Sequence, residues 1–372
     1  MLAKYTLFSI TTFEFAAIAS AHSRTLIFGD SISDIGNANR TVDPQGVPYW
    51  KGRFSNGPVW NEYFAKWSNH ILINYAFGGA VSNNTAIHIF DHQMPKVPDT
   101  LQQIDTFNAT FGGKFSDDVL SNDIAVVEIG GNDIFDAVDG LRDGTLNPDA
   151  YSTSVSSSIG AAVSKLVNMG YKKFFIPNIP DISSIPAAHD ASFFARMILR
   201  GLVAEINVKT NRILSNMQKN PSLGIQYIKT LDLFNLIDKI QEPEISSALG
   251  VINAKAPCYV MDSKFKVTKS CEDSDKYAFI DIIHPTTRVH ALLGAIASTI
   301  LQEGSFDGTT KSILGLIFKH NLINISSLKN PLYNIDIHNT GVTNIPTYDV
   351  KKSQDNASKI IYDANNDLPG IN

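Results

Sequence analysis

Five short apolar runs constrain the fold of this chain more than any other feature. Thr25–Phe28, Ile71–Tyr75, Ile124–Ile129, Lys173–Ile176 and Gly224–Lys229 are of strand length and rich in β-branched or aromatic residues. They are apolar on both faces, as a parallel strand covered on both sides must be. Longer segments with helical spacing stand between and after them: Trp60–Ser68, Thr100–Phe111, Asp149–Met169, Phe194–Lys219 and Thr286–Gln302. Pro148 and Pro285 suit helix starts, and Gly170 suits a stop. Strands that alternate with helices predict a doubly wound α/β sandwich.

A chain of 372 residues can fill one large α/β domain or two smaller ones. Its formal net charge is -5, and Lys and Arg are not massed in blocks. That excludes the basic stripe of a nucleic-acid binder. At the N-terminus, Lys4, the apolar stretch Leu7–Ala19 and the small residues Ala19-Ser20-Ala21 read as a secretory signal over residues 1–21. The stretch is shorter than the ~20 residues of a membrane span, and Glu14 interrupts it. An exported protein is therefore expected, with no transmembrane segment. Cys258 and Cys271 then predict one disulfide. Asn39, Asn83, Asn108, Asn324 and Asn356 begin Asn-x-Ser/Thr triplets and are candidate glycosylation sites. The expected domain runs over residues 22–305. Residues 306–372 form a C-terminal extension, partly packed through Ile313–Phe318 and Leu322–Leu328 and, from Asn334 on, polar enough to be partly disordered.

Chemistry-bearing residues gather after the strands. Leu26-Ile27-Phe28-Gly29-Asp30-Ser31 runs a buried strand into a tight turn. That places Ser31 at the C-terminal edge of the sheet, where ligands bind in open α/β folds. Its own N–H can face a developing oxyanion. Taken alone, the segment fits a helix N-cap better. Far along the chain, Asp281-Ile282-Ile283-His284-Pro285 stands before a helix. This spacing lets the Asp281 carboxylate meet His284 Nδ1 and leaves Nε2 free to take a proton from a hydroxyl. Two Gly-rich strand ends offer hydrogen-bond donors: Ile129-Gly130-Gly131-Asn132-Asp133 through the Asn132 amide, and Asn74–Ala80 through the Gly79 N–H. Each alone is also an ordinary Gly/Asn turn. Their convergence on one sheet edge carries the joint reading.

Competing motifs are absent. There is no Gly-x-Ser-x-Gly elbow, His-Glu-x-x-His, Walker loop or Gly-x-Gly-x-x-Gly. No metal or cofactor is expected. His290 reads as structural.

Phe28-Gly29-Asp30-Ser31-Ile32-Ser33-Asp34-Ile35-Gly36-Asn37 resembles the first block of GDSL esterases and lipases, within the SGNH-hydrolase superfamily. Ile32 stands where the family name has Leu. Gly52–Trp60 is similar to a segment of the larger secreted members. Asn74–Ala80 resembles the second block, Gly130–Asp133 the third and Asp281–Pro285 the fifth. The likeness covers roughly residues 24–302 and leaves the C-terminal tail unexplained. It implies a three-layer α/β/α sandwich with five parallel strands in flavodoxin-like order. It implies Ser31 as nucleophile, His284 as general base and then acid, and Asp281 as its orienting carboxylate. The implied oxyanion donors are the Ser31 N–H, the Gly79 N–H and the Asn132 side chain. Cys258 and Cys271 look like the cysteine loop of the hemolysin-like or acyltransferase-like members, where a disulfide would brace the His284 loop. Asp30, Asp34 and Asp133 are expected to hold turns.

The resulting expectation is a secreted serine esterase or lipase acting through an acyl-enzyme. A carbohydrate (acetyl) esterase is the nearest alternative; Tyr49, Trp50 and Phe54 suit sugar stacking or acyl packing, although simple burial of the rings is the better reading. A non-catalytic secreted binding or effector protein on the same scaffold is the alternative of another class. Transfer of the acyl group to an alcohol, a possible side activity, uses the same intermediate and is not separable by sequence.

Overall fold

A computed structural model describes residues 23–38, 47, 49–91, 97–262, 266–326 and 342–344. The signal segment, Asn39, Asn356 and, in the C-terminal extension, residues 327–341 and 345–372 lie outside the described residues.

The described residues open with β1 (Arg24–Gly29), α1 (Trp60–Ser68) and β2 (Ile71–Asn74). Three helices follow, α2 (Asn84–Asp91), α3 (Thr100–Phe111) and α4 (Asp117–Asn122), and lead into β3 (Ile124–Glu128). Next come α5 (Gly131–Asp143), α6 (Pro148–Asn168), β4 (Lys173–Phe175), α7 (Phe193–Lys219) and β5 (Tyr227–Lys229). Beyond the last of these are α8 (Leu233–Ile240), α9 (Pro243–Ala248) and four short strands. These are β6 (Asn253–Pro257), β7 (Val260–Met261), β8 (Val267–Lys269) and β9 (Tyr277–Phe279). The chain then forms α10 (Thr287–Glu303), α11 (Thr310–Lys319) and β10 (Val342–Asn344).

The main sheet is six-stranded, in the order β10-β2-β1-β3-β4-β5, and every pair is parallel. Its first five strands are the five apolar runs of the sequence, in flavodoxin-like order. All residues of β1 and β3 are buried, as two covered faces require. One face receives α1, whose Trp60 and Phe64 rings stack on Phe175 of β4. The other receives α3, whose Phe107 packs edge-on against Phe28 of β1. With α1 and α10 packed together on one side and α3, α6 and α7 on the other, the fold is a three-layer α/β/α sandwich.

Two features lock the sheet, one near each edge. At the N-terminal edge, Arg24 Nε lies 3.0 Å from both carboxylate oxygens of Asp123, tying the start of β1 to the start of β3. Removing one partner of such a buried pair typically costs ~3–5 kcal/mol. Near the opposite edge, Gln103 grips Gly29 from α3: its Oε1 accepts the Gly29 N–H and its Nε2 donates to the Gly29 carbonyl, both at 2.9 Å. A side chain at Gly29 would place Cβ 2.4 Å from the Glu128 carbonyl oxygen, so only glycine fits there.

Past α10 the hydrophobic core continues through Ile313, Leu316 and Ile317 of α11 to Leu322 and Ile325. Arg288 of α10 donates to the Ile325 carbonyl at 2.9 Å and pins that segment.

Candidate active site

The strand register gathers the candidate residues. Gly29 stands beside Glu128 in the β1–β3 pair, and the Phe77 N–H donates to the Gly29 carbonyl at 2.9 Å. Ser31, Gly79 and Asn132 follow these aligned positions by a few residues each, all beyond the C-terminal edge. The sheet changes direction between β1 and β3, which opens a crevice at that edge.

Ser31 lies in the turn after β1 and is 7% exposed. His284 Nε2 is 2.8 Å from its Oγ. On the other side of the ring, His284 Nδ1 is 2.8 Å from Asp281 Oδ2. Asp281 Oδ1 accepts the N–H groups of Ile283 and His284 at 2.7 and 2.8 Å. The Tyr49 hydroxyl donates to Oδ2. Burial pushes the Asp281 carboxyl up, but the His284 ring and the hydrogen bonds from His284 and Tyr49 outweigh it and hold the group below its usual range. The carboxylate thus stays ionised and fixes the ring with Nδ1–H toward itself.

Nearby segments hold the loop in place. Ser55 Oγ donates to the Pro285 carbonyl at 3.0 Å, and Asn56 Oδ1 accepts the Thr287 N–H at 2.8 Å. Gly57 packs so closely on Thr287 that a Cβ would sit 2.6 Å from its Oγ1. The Phe54 and His284 ring centroids are 5.0 Å apart. Residues 52–60, noted in the sequence for their family likeness, thus dock the histidine loop. Cys258 and Cys271 are joined in a disulfide. The Cys258 and Tyr259 N–H groups donate to the carbonyls of Phe279 and Ile280, immediately before Asp281.

The candidate donors occupy the same edge. Among the described residues, neither the Ser31 nor the Gly79 N–H has a protein acceptor. Gly79 adopts φ +87°, a conformation that favours glycine. Asn132 is in the first turn of α5, and its Nδ2 donates to the Ala80 carbonyl at 2.7 Å. One amide proton anchors the side chain, and among the described residues no protein acceptor takes the second. Gly130 precedes it at φ +120°, and a Cβ there would strike Ile179 at 2.4 Å.

The aspartates of these blocks hold turns. Asp34 accepts four backbone N–H groups, among them Gly78 at 2.8 Å, and so ties the Ser31 turn to the Gly79 turn. Asp30 accepts the Ile32 N–H at 3.0 Å, and Asp133 accepts the Ser82 N–H. Burial pushes Asp34 and Asp133 up to about 6 despite these bonds. Glu128 lies directly behind the nucleophile turn, accepts from Ser33 Oγ at 2.7 Å, and is pushed up by burial to about 7. Burial and the neighbouring Glu128 together raise Asp30 well above the usual carboxylate range. His290 is fully buried and accepts the Trp60 N–H, so it has a structural role.

Sequence reasoning did not single out Glu128, Gln103 or the Tyr49 hydroxyl. Glu128 had a signal, being a lone charge at the end of an apolar strand. So did Gln103, a polar residue on the buried face of α3. Asn83 is half-buried, while Asn108 and Asn324 are exposed.

A family model described as GDSL-like lipase/acylhydrolase matches residues 26–296. The chain is 25% identical over 283 residues to the thermolabile hemolysin of Vibrio parahaemolyticus, covering 72% of this chain and 61% of that protein. It is 26% identical over 333 residues to the phosphatidylcholine-sterol acyltransferase of Aeromonas hydrophila, covering 76% of this chain and 91% of that one. With the Arabidopsis thaliana GDSL esterase/lipase EXL4 it shares 25% identity over 347 residues, 80% of this chain and 96% of the relative.

Proposed function

The chain belongs to the GDSL-like lipase/acylhydrolase family, and we propose that it is a secreted serine carboxylic ester hydrolase built on Ser31, His284 and Asp281. The observation that carries this reading is the unbroken hydrogen-bonded series from Ser31 Oγ through the His284 ring to Asp281.

In the proposed reaction Ser31 Oγ attacks the ester carbonyl while His284 Nε2 takes its proton. The charge that forms on the ring is balanced by Asp281. The carbonyl oxygen becomes an oxyanion and rests among the Ser31 N–H, the Gly79 N–H and the second amide proton of Asn132. Collapse breaks the C–O bond, and His284 returns the proton to the departing alcohol. Water then attacks the acyl-enzyme with His284 as base again, releasing the acid and restoring Ser31. An alcohol in place of that water gives acyl transfer, and the resemblance to a phosphatidylcholine-sterol acyltransferase favours testing it. Export is supported by the disulfide, which oxidising compartments maintain.

A hydrolysis profile tests the reading: chromogenic esters of graded acyl length, a phospholipid and an acetylated sugar. The reading expects turnover of at least one ester with saturation kinetics, abolished in Ser31→Ala. No turnover of any ester by the folded protein would contradict it and restore the binding-protein alternative.

A further inference from the structure

The first two turns of α7 are apolar on the outside. Phe193 and Phe194 are 72% and 71% exposed, Met197 is 55% exposed, and Ile198 stands beside them. The spacing i, i+1, i+4, i+5 makes one stripe, on a helix whose buried side is Leu202, Val203 and Ile206. Single exposed apolar residues need no explanation, but a contiguous patch does. Ile252, 78% exposed, adds to the same region: the cavity beside it shares Gln241 and Lys255 with the cavity that Phe193 and Met197 line.

Position and charge narrow the occupant. The segment leading to α7 leaves β4 at its C-terminal end, so the patch is at the sheet edge that holds Ser31. The Ala187 N–H donates to the carbonyl of Ile282, between Asp281 and His284, at 2.8 Å. Lys255 is on β6, which pairs with β9, the strand that leads into Asp281. The patch is thus attached twice to the histidine loop. The cavity beneath it, about 460 Å³, is lined by His189, Arg196, Arg200 and Lys255 and by no acidic residue. Arg200 is paired with Asp181 and Asp238, while Arg196 and Lys255 make no ion pair among the described residues. Aromatic and aliphatic side chains beside unpaired cations are the composition of a surface that lies on a lipid bilayer: the rings enter the acyl boundary and the cations meet phosphate headgroups.

We propose that the N-terminal stripe of α7, with Arg196 and Lys255, docks the protein on the surface of a bilayer containing anionic phospholipid and so presents the Ser31 crevice to membrane esters. This rests on the ester-hydrolase reading for the second half of the statement only.

The test uses the full chain in two arms. Sedimentation with phosphatidylcholine/phosphatidylglycerol vesicles uses Ser31→Ala, so that binding is read without turnover. The same variant carrying Phe193→Ser and Phe194→Ser is compared with it. The expected result is that Ser31→Ala pellets with anionic vesicles, less with pure phosphatidylcholine or at high salt, and that the two serine substitutions lower the bound fraction at least about tenfold. In the catalytic arm, Phe193→Ser/Phe194→Ser alone keeps wild-type turnover of a short soluble ester and loses about tenfold on vesicle phospholipid. Turnover of soluble ester without vesicle binding would overturn the docking surface and leave the hydrolase intact. Equal binding by both proteins, or a solution dimer that the serine substitutions dissociate, would overturn it too. Vesicle binding without turnover of any ester would support the surface while the hydrolase reading fails.

Discussion

The Tyr49 hydroxyl donates to Asp281 Oδ2, the same carboxylate oxygen that holds the His284 ring. Tyr49 is therefore a positioning residue for the ring, acting through Asp281. A hydrogen bond to a charged acceptor is worth ~1.5–3 kcal/mol. Tyr49→Phe is expected to keep the fold and KM while kcat falls about tenfold, equivalent to ~1.4 kcal/mol in the barrier. Steady-state kinetics on a soluble ester check this, and an unchanged kcat would reduce Tyr49 to packing.

Asn132 is the most economical probe of the proposed oxyanion site. Its anchoring bond to the Ala80 carbonyl already fixes the amide in space. Asn132→Ala is expected to lose about 10²–10³ in kcat, the usual cost of one such donor, with little change in Tm. Full activity in the folded variant would remove Asn132 from the mechanism.

Glu128 gives a pH dependence of stability with a definite sign. Burial raises its carboxyl from 4.5 to about 7. The folded protein therefore holds this proton over a range where the unfolded chain has lost it. The neutral carboxyl's contribution is complete below the unfolded value and is lost as pH rises through about 7. Glu128→Gln keeps the shape and the acceptor for Ser33 but does not titrate. Its Tm relative to wild type should rise between about pH 4.5 and about pH 7 and level off above that. Parallel Tm curves would show that Glu128 is not held protonated.

The disulfide links residues 13 apart and stitches the segment before Asp281. In the chain-entropy model, closing so short a loop contributes ~3 kcal/mol. Cys258→Ser/Cys271→Ser should lower Tm by several degrees. It should also lower kcat by loosening the His284 loop, while the turn at Ser31 stays intact. A lower Tm with unaltered kcat would limit the bridge to stability.

Much of this architecture was legible in the chain. Buried parallel strands announce themselves because both faces must be apolar, so β1 to β4 and the long helices could be placed, and half-buried β5 at the sheet edge followed from its apolar run. Elements stabilised by tertiary contacts could not. Gly131 reads as a turn, yet it begins α5, since Gly130 at φ +120° and the packing of Ile134 and Ala137 override local propensity. The β10 strand borrows its pairing entirely from β2 and has no apolar run of its own. For the site, the motif residues were visible because catalysis demands particular atoms. Tyr49, Gln103 and Glu128 act by reaching across the fold, and sequence spacing does not encode that reach.

Covalent labelling separates Ser31 from every other candidate nucleophile. An active-site phosphonate ester, added until hydrolysis stops, should modify one residue, identified by peptide mass spectrometry as Ser31. Ser31→Ala should fold, remain unlabelled and hydrolyse nothing. Complete inhibition with the label on another residue, or an active Ser31→Ala protein, would rule out Ser31 as the nucleophile.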